Sequence, residues 1–170
     1  MAYSLAYLVL ASGLLLLVAG WDIARRRIPN WLTGALAVSG LGAQAGHGGG
    51  WGLLGALGAA LVTLIVLWGP WSKGRLGGGD VKTTLGAAIW LGLESLLSFY
   101  LLAAIAGGVA AGFCLLRSGA GARREVAENL KLMAWRVALP EAPITGGAGR
   151  ISVPFAAAAA AAALLLLWWR

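Results

Sequence analysis

Long runs of apolar residues constrain the fold of this chain more than any other feature of its sequence. A helix needs about 20 apolar residues to cross the hydrocarbon core of a bilayer, and this chain of 170 residues contains several such runs. Charged residues make up 11% of it, against about 25% in an ordinary soluble domain. The sequence therefore predicts an all-α membrane protein built as a single domain, residues 1–170, and excludes a soluble globular protein.

Polar and glycine-rich interruptions divide the apolar runs into six predicted spans. A turn at residues 47–50 separates the second span from the third. The run over residues 81–116 is too long for one crossing and breaks at residues 92–95. The resulting six-transmembrane-helix bundle has spans at about residues 2–21, 31–46, 51–69, 81–92, 95–116 and 151–169.

Basic residues make one side of the predicted bundle strongly positive. Every Lys and Arg except Arg170 lies in residues 25–27, 73–82 or 117–150, which the six spans place together. Basic loops mark the cytoplasmic side of a membrane protein, so the N-terminus and the C-terminus are predicted outside. The net charge of +7 then follows from topology. We predict contacts with membrane lipid and no nucleic-acid partner, and the sequence defines no oligomeric state.

The predicted inner segment, residues 117–150, contains one amphipathic pattern. Apolar side chains recur at helical spacing at Val126, Leu130, Met133 and Val137, with charged residues between them. The pattern predicts a short amphipathic helix on the inner face of the membrane. Such a helix either links the fifth span to the sixth or contacts a substrate.

The chain contains only two aspartates, Asp22 and Asp80, and each lies at the inner edge of a predicted span. An ionisable group costs about 2.5–3.5 kcal/mol at the centre of a membrane helix on insertion scales, and less toward the surface, so it points to a function. A helix cap or a surface charge is the alternative for either residue alone. Because the predicted topology places both carboxylates on one side, they can act together.

Each aspartate belongs to a short motif. Asp22 opens residues 22–30, which end in Ile-Pro-Asn, and Asp80 follows three glycines and precedes Val-Lys. Glycine permits close approach of another backbone, so a peptide could bind the main chain of residues 77–79. A flexible turn is the alternative interpretation. We predict substrate-binding or supporting roles for Gly77, Gly79, Lys82, Thr84, Pro29 and Asn30.

The pair of motifs, Asp-x5-Ile-Pro-Asn and Gly-x-Gly-Asp-x-Lys, resembles the type IV prepilin peptidases, the bacterial branch of the GxGD aspartic proteases. The motifs cover residues 22–30 and 77–82, and the six-span layout agrees over essentially the whole chain. The resemblance implies a membrane aspartic endopeptidase with Asp22 and Asp80 as catalytic residues and no cofactor. It also implies that the enzyme removes the short basic leader of prepilin-type substrates at the cytoplasmic face of the bacterial inner membrane.

The chain departs from the larger members of that family in one respect. Those members carry a cytoplasmic insert with four cysteines, a metal site and an added N-methyltransferase activity. This chain has one cysteine, Cys114, and only residues 22–30 between its first two predicted spans. It therefore resembles the short Tad/Flp-type peptidases, and we predict neither a metal site nor methylation.

The expected mechanism uses the two carboxyl groups in different protonation states. Like charges on one water repel, so the pair loses its protons in two steps. The ionised group then activates the water while the protonated group donates to the scissile carbonyl. Helix dipoles favour the anion at Asp80 and disfavour it at Asp22, whereas Arg25 and Arg26 act in the opposite direction.

Other functions are weighed by the residues that they need. A zinc peptidase needs a His-Glu-x-x-His motif, and His47 is the only histidine. No serine follows a glycine at the spacing of a hydrolase elbow. Two alternatives stay open: a small ion-coupled transporter in which Asp22 and Asp80 bind a proton or cation, and a non-enzymatic subunit of a secretion or pilus machine.

Overall fold

The computed structural model describes residues 4–74, 76–121, 123–124, 126 and 153–169. Within these residues the fold is all-helical, which confirms the predicted fold class. The helices in chain order are α1 (Leu5–Arg25), α2 (Asn30–Ser72), α3 (Gly78–Leu91), a 3₁₀ turn (Leu93–Ser95), α4 (Leu96–Arg117) and α5 (Phe155–Trp169). The predicted amphipathic helix falls outside the described residues except for Val126.

Helix α2 consists of two arms that meet at Gly49, whose backbone is non-helical at φ 54° and ψ −139°. A positive φ of this kind favours glycine. A Cβ atom added at Gly52 would clash with the carbonyl oxygen of Gln44, although these residues would be about 12 Å apart along a straight helix. The chain therefore turns back at Gly49, within the break predicted at residues 47–50.

Three of the described helical segments are long and apolar enough to cross a membrane: Leu5–Arg25, Asn30–Ser72 and Leu93–Arg117. Helix α3 has 14 residues, and at 1.5 Å per residue it reaches only about 21 Å. Helix α5 is a shorter apolar helix of 15 residues. The predicted count of six spans and the predicted positions of the termini are therefore not supported, because α2 with both its arms counts as a single candidate span and α3 and α5 are short.

Contacts divide the chain into two compact units, Met1–Gly107 with Pro154–Arg170, and Gly108–Val153. Both aspartates lie in the first unit. Large apolar side chains are exposed on its helices, for example Val9 at 59% and Ile65 at 66%. Exposed apolar surface on this scale is typical of contact with lipid or another apolar partner.

In the first unit, α3 runs parallel to the first arm of α2. Lys82 Nζ donates to Asn30 Oδ1 at 2.8 Å, Trp90 Nε1 donates to the carbonyl oxygen of Leu36 at 2.9 Å, and Gln44 Nε2 donates to that of Trp90 at 2.9 Å. These contacts advance along both helices together. Residues 30 and 82 therefore lie at the same end of the helix pair.

Helix α5 runs antiparallel to α1. Trp168 Nε1 donates to Ser12 Oγ at 2.9 Å, and the Ala157 N–H donates to Asp22 Oδ2 at 3.0 Å. The end of α1 and the beginning of α5 are consequently neighbours. We call this end, where α1 finishes and α2, α3 and α5 begin, the aspartate end.

Small residues allow the helices to approach closely. A Cβ atom added at Gly40 would lie 2.8 Å from Trp90 Cδ1, and one at Gly86 would lie 2.9 Å from Leu36 Cδ2. The alanine tract of α5, a strong helix former, is largely buried against α1 and α3. Close packing of small residues is how helices associate in lipid, and here it fixes the three helices that carry the site.

Candidate active site

Asp22 lies in the last turn of α1 and is only 6% exposed. The helix ends because Arg26 adopts a left-handed conformation, with φ 53°, and its N–H donates to the carbonyl oxygen of Asp22 at 3.0 Å. The Asp22 side chain turns away from its own helix and accepts the Ala157 N–H. Asp22 therefore sits at the C-terminus of one helix and faces the N-terminus of another.

Asp80 is the third residue of α3, and its helix begins after Gly77, which has an extended backbone at φ −70° and ψ 145°. The main-chain N–H groups of Gly77 and Ala156 both favour the charged form of the Asp80 carboxyl by hydrogen bonding. In the contact with Gly77, the side chain of the third helical residue accepts the N–H of the N-cap residue, as in one half of a capping box. Asp80 thus also faces the beginning of α5.

The two carboxylates converge on the first turn of α5. The main-chain N–H of Ala156 is a hydrogen-bond donor to Asp80, and that of Ala157 donates to Asp22. The two side chains are also close enough for the charge of Asp22 to act on Asp80. The aspartates are remote in the chain, and three helices bring them together at the aspartate end.

The environment of Asp80, which precedes the predicted span 81–92, favours its protonated form. Burial raises the pKa of the Asp80 carboxyl, and the negative charge of Asp22 raises it further. The N–H groups of Gly77 and Ala156 lower this pKa but do not offset the other two effects. The argument from helix dipoles alone favoured an anion at Asp80, whereas burial and the charge of Asp22 raise its pKa at this helix N-terminus.

The three glycines before Asp80 have different surroundings. A Cβ atom at Gly77 would lie 2.9 Å from Asp80 Oδ2, closer than real side chains approach. At Gly78 the nearest atom would be Trp71 Nε1 at 3.9 Å, and at Gly79 it would be Ile28 Cδ1 at 3.4 Å. A side chain at position 77 would thus displace the Asp80 carboxylate, whereas Gly79 packs on Ile28 of the first motif.

A side-chain hydrogen bond joins the two motifs. Lys82, which points away from Asp80 on a regular helix, donates through Nζ to Asn30 Oδ1 at 2.8 Å. Pro29 is the N-cap of α2, with φ −63°, and its carbonyl oxygen accepts the N–H of Leu32 at 3.1 Å. Lys82, Asn30 and Pro29 therefore fix the start of α2 beside the start of α3.

Thr84 and Arg25 have structural contacts. Thr84 is buried, and its Oγ1 donates to the carbonyl oxygen of Asp80 at 2.8 Å, so it binds the main chain of its own helix. The Arg25 guanidinium lies over the Trp21 ring, 5.2 Å from its centroid.

Among the described residues, no three His, Cys, Asp or Glu side chains lie together as a metal site would need.

Sequence reasoning did not identify Ala156 and Ala157. They contribute main-chain N–H groups, which leave no pattern of side-chain types, and the alanine tract predicted only a helix. The single available signal was the Val-Pro-Phe sequence at residues 153–155, because Pro favours the start of a helix.

Comparison with known proteins agrees with the motifs. The model of the type IV leader peptidase family matches residues 8–112, which is more than half of the chain and includes Asp22 and Asp80. No curated protein and no solved structure matches the chain. The predicted family is therefore confirmed, and the chain belongs to the type IV leader peptidase family of proteases.

Proposed function

We propose that this protein is an aspartic endopeptidase that removes the leader of prepilin-type substrates at the cytoplasmic face of the bacterial inner membrane. The observation that carries the proposal is the convergence of Asp22 and Asp80 on the first turn of α5. Two carboxyl groups in contact with one water are the chemical requirement of an aspartic protease. The family match to proteases supports the same reaction, and it gives no support to the transporter alternative.

In the proposed reaction the two carboxyl groups have separate roles. Asp22 is the anion and takes a proton from water as the water oxygen attacks the scissile carbonyl carbon. Asp80 is protonated and donates its proton to the carbonyl oxygen, which gives a neutral tetrahedral gem-diol. Asp22 then passes a proton to the departing amine nitrogen while Asp80 recovers one from a gem-diol hydroxyl. The C–N bond breaks without a covalent enzyme intermediate.

The substrate in this proposal approaches along the glycines before Asp80. Gly77 and Gly78 are exposed, and their lack of side chains leaves the backbone open to a peptide strand. A leader cut from an apolar helical segment places its scissile bond near the membrane surface. The aspartate end is the part of the first unit where basic residues, including Arg25 and Lys82, flank the apolar helices.

The six-crossing topology also belongs to the proposal. It is supported by the reversal of α2 at Gly49 and by the directions of the helix pairs. The two arms of α2 then each cross once, and α1, α3, α4 and α5 make the other passes. The aspartate end faces the cytoplasm in this arrangement because the basic segments lie there.

The decisive experiment is cleavage of a prepilin-type substrate by the purified protein in detergent. Asp22→Asn and Asp80→Asn should each lower kcat by about 10²–10⁴-fold, the usual contribution of an acid or base. Glu94→Gln is the matched control, because Glu94 is an exposed carboxylate in the 3₁₀ turn beyond the far end of α3. Full activity of either Asn variant, with circular dichroism unchanged, would contradict the proposal.

A further inference from the structure

The first turn of α5 presents donors that its own helix does not use. The first three N–H groups of a helix, here those of Phe155, Ala156 and Ala157, have no partner within the helix. The helical ladder begins when the Ala158 N–H donates to the carbonyl oxygen of Pro154 at 3.3 Å. Two of the three unused donors are directed at carboxylates on two other helices.

We infer that the main chain of α5 at Ala156 and Ala157 is a positioning element that holds Asp22 and Asp80 over one water. Ala157 does so through the 3.0 Å hydrogen bond to Asp22 Oδ2, and Ala156 through its N–H at Asp80. The inference rests on the proposed function for its catalytic meaning. It goes beyond the family match, which ends at residue 112, before α5 begins.

Packing fixes these donors independently of the carboxylates. Ala156 is fully buried in a cluster with Val18 of α1 and Leu32 of α2. The Phe155 ring lies against Gly107, 3.6 Å from the position of an added Cβ atom. The φ angle of Pro154 is restricted by its ring. Donors held in this way need no reorganisation when charge moves during a reaction.

The positive end of α5 also offsets the repulsion between the two carboxylates. Among the described charged residues, Arg25 lies over Trp21, Arg26 and Arg27 follow the end of α1, and Lys82 donates to Asn30. Helix α2 carries His47 near the Gly49 turn and is followed by Lys73, and the described part of α5 carries no titratable side chain. The first turn of α5 donates one main-chain N–H to each of the two carboxylates.

The test removes one N–H group at a time without changing any side chain. Lactic acid, the α-hydroxy analogue of alanine, is introduced at position 157 or 156 with a chemically acylated suppressor tRNA, which replaces the amide by an ester. The same replacement at Ala158 is the control, because the Ala158 N–H serves only the helical ladder. All three esters weaken one neighbouring carbonyl acceptor equally.

Two readouts are compared in the full-length protein. Because the chain contains only Asp22 and Asp80, isotope labelling of aspartate carboxyl carbons gives two NMR signals, which Asp22→Asn and Asp80→Asn assign. The ester at 157 should move the Asp22 signal and leave the Asp80 signal nearly unchanged, and the ester at 156 should do the reverse, because each removes the hydrogen bond to one carboxylate. Each should lower kcat about tenfold, with KM nearly unchanged. The control should move neither signal.

The inference is overturned if the esters at 156, 157 and 158 give the same two carboxyl signals, because α5 would then have only a structural role. It is also overturned if both signals move together by the same amount in every ester. The NMR measurement needs no substrate. Failure of the unmodified protein to cleave prepilin would therefore reject the proposed function, while the carboxyl signals still decide whether α5 holds the pair.

Discussion

Asp22 and Asp80 carry the same chemical group in contrasting surroundings. Asp22 ends a long helix, is almost fully buried, and is bonded by a helix that begins far away in the chain. Asp80 begins a short helix after exposed glycines, is half-buried, and is bonded in part by its own N-cap. The difference teaches that one fold can give two identical side chains unequal environments, and unequal environments are what separate acid from base where paired carboxyls act together.

The largest expected effect compares the two Asn variants directly. An amide at position 22 cannot accept a proton from water, whereas an amide at position 80 can still donate a hydrogen bond to the scissile carbonyl. Asp22→Asn should therefore lose about tenfold more single-turnover activity than Asp80→Asn, within the 10²–10⁴-fold range of acid–base catalysis. Equal losses, or the reverse order, would break the assignment of Asp22 as base.

The next effect concerns the glycines that distinguish the Asp80 side of the site. Gly77→Ala places a Cβ atom 2.9 Å from Asp80 Oδ2, so the carboxylate must move. We expect kcat to fall roughly 10- to 100-fold, as for other small misplacements of catalytic groups. Gly34→Ala is the control, because Gly34 lies in α2, outside the glycine loop, and an added Cβ atom there would meet nothing within 4 Å. Loss of activity in both variants alike would indicate a backbone effect instead.

A smaller effect is expected where the two motifs meet. Lys82→Met and Asn30→Ala each remove the 2.8 Å hydrogen bond between the starts of α2 and α3. Each should lower the free energy of unfolding by about 0.5–1.5 kcal/mol, measured by denaturation in detergent. The double variant should be little worse than either single variant, because both break one interaction. Additive losses would show that the two residues act separately.

The smallest effect is on stability and depends on pH. The raised pKa of Asp80 means that the folded state binds a proton more tightly than the unfolded state does. This contribution to stability is present at low pH and is lost as the pH rises through the folded pKa. An amide at position 80 does not ionise, so Asp80→Asn does not lose this stability as the pH rises. The melting temperature of the variant minus that of the wild type should therefore be larger at neutral pH than at a pH below the ordinary pKa of aspartate. A constant difference would contradict the raised pKa.

The sequence was sufficient to predict the features that depend on the types of side chain and on their spacing. The paired motifs identified the family and drew attention to Asp22 and Asp80, and the glycines at residues 47–50 predicted the break that the structure has at Gly49. Helical structure followed from the length of the apolar runs. These features are local, so a single sequence carries them.

The remaining features depend on contacts between distant segments. Nothing at position 82 indicated that Lys82 would bind Asn30, and the alanines at 156 and 157 gave no sign that their N–H groups would serve two carboxylates. The number of crossings was inferred from run length and stays a proposal, because α2 contains two runs that meet at Gly49 and α3 ends after 14 residues. The roles of the predicted site residues stay predictions until the variants above are measured.

The shortness of α3 and α5 has a consequence for the surrounding lipid. Each covers 14 or 15 residues, about 21–22 Å, whereas the acyl chains of an average membrane span about 30 Å. In the proposed topology, in which both helices cross the membrane, such hydrophobic mismatch would thin the bilayer around them, bring bulk solvent closer to Asp80 and shorten the path of a peptide to the site. Proteolysis in vesicles should accordingly be faster with short-chain phospholipids than with long-chain ones.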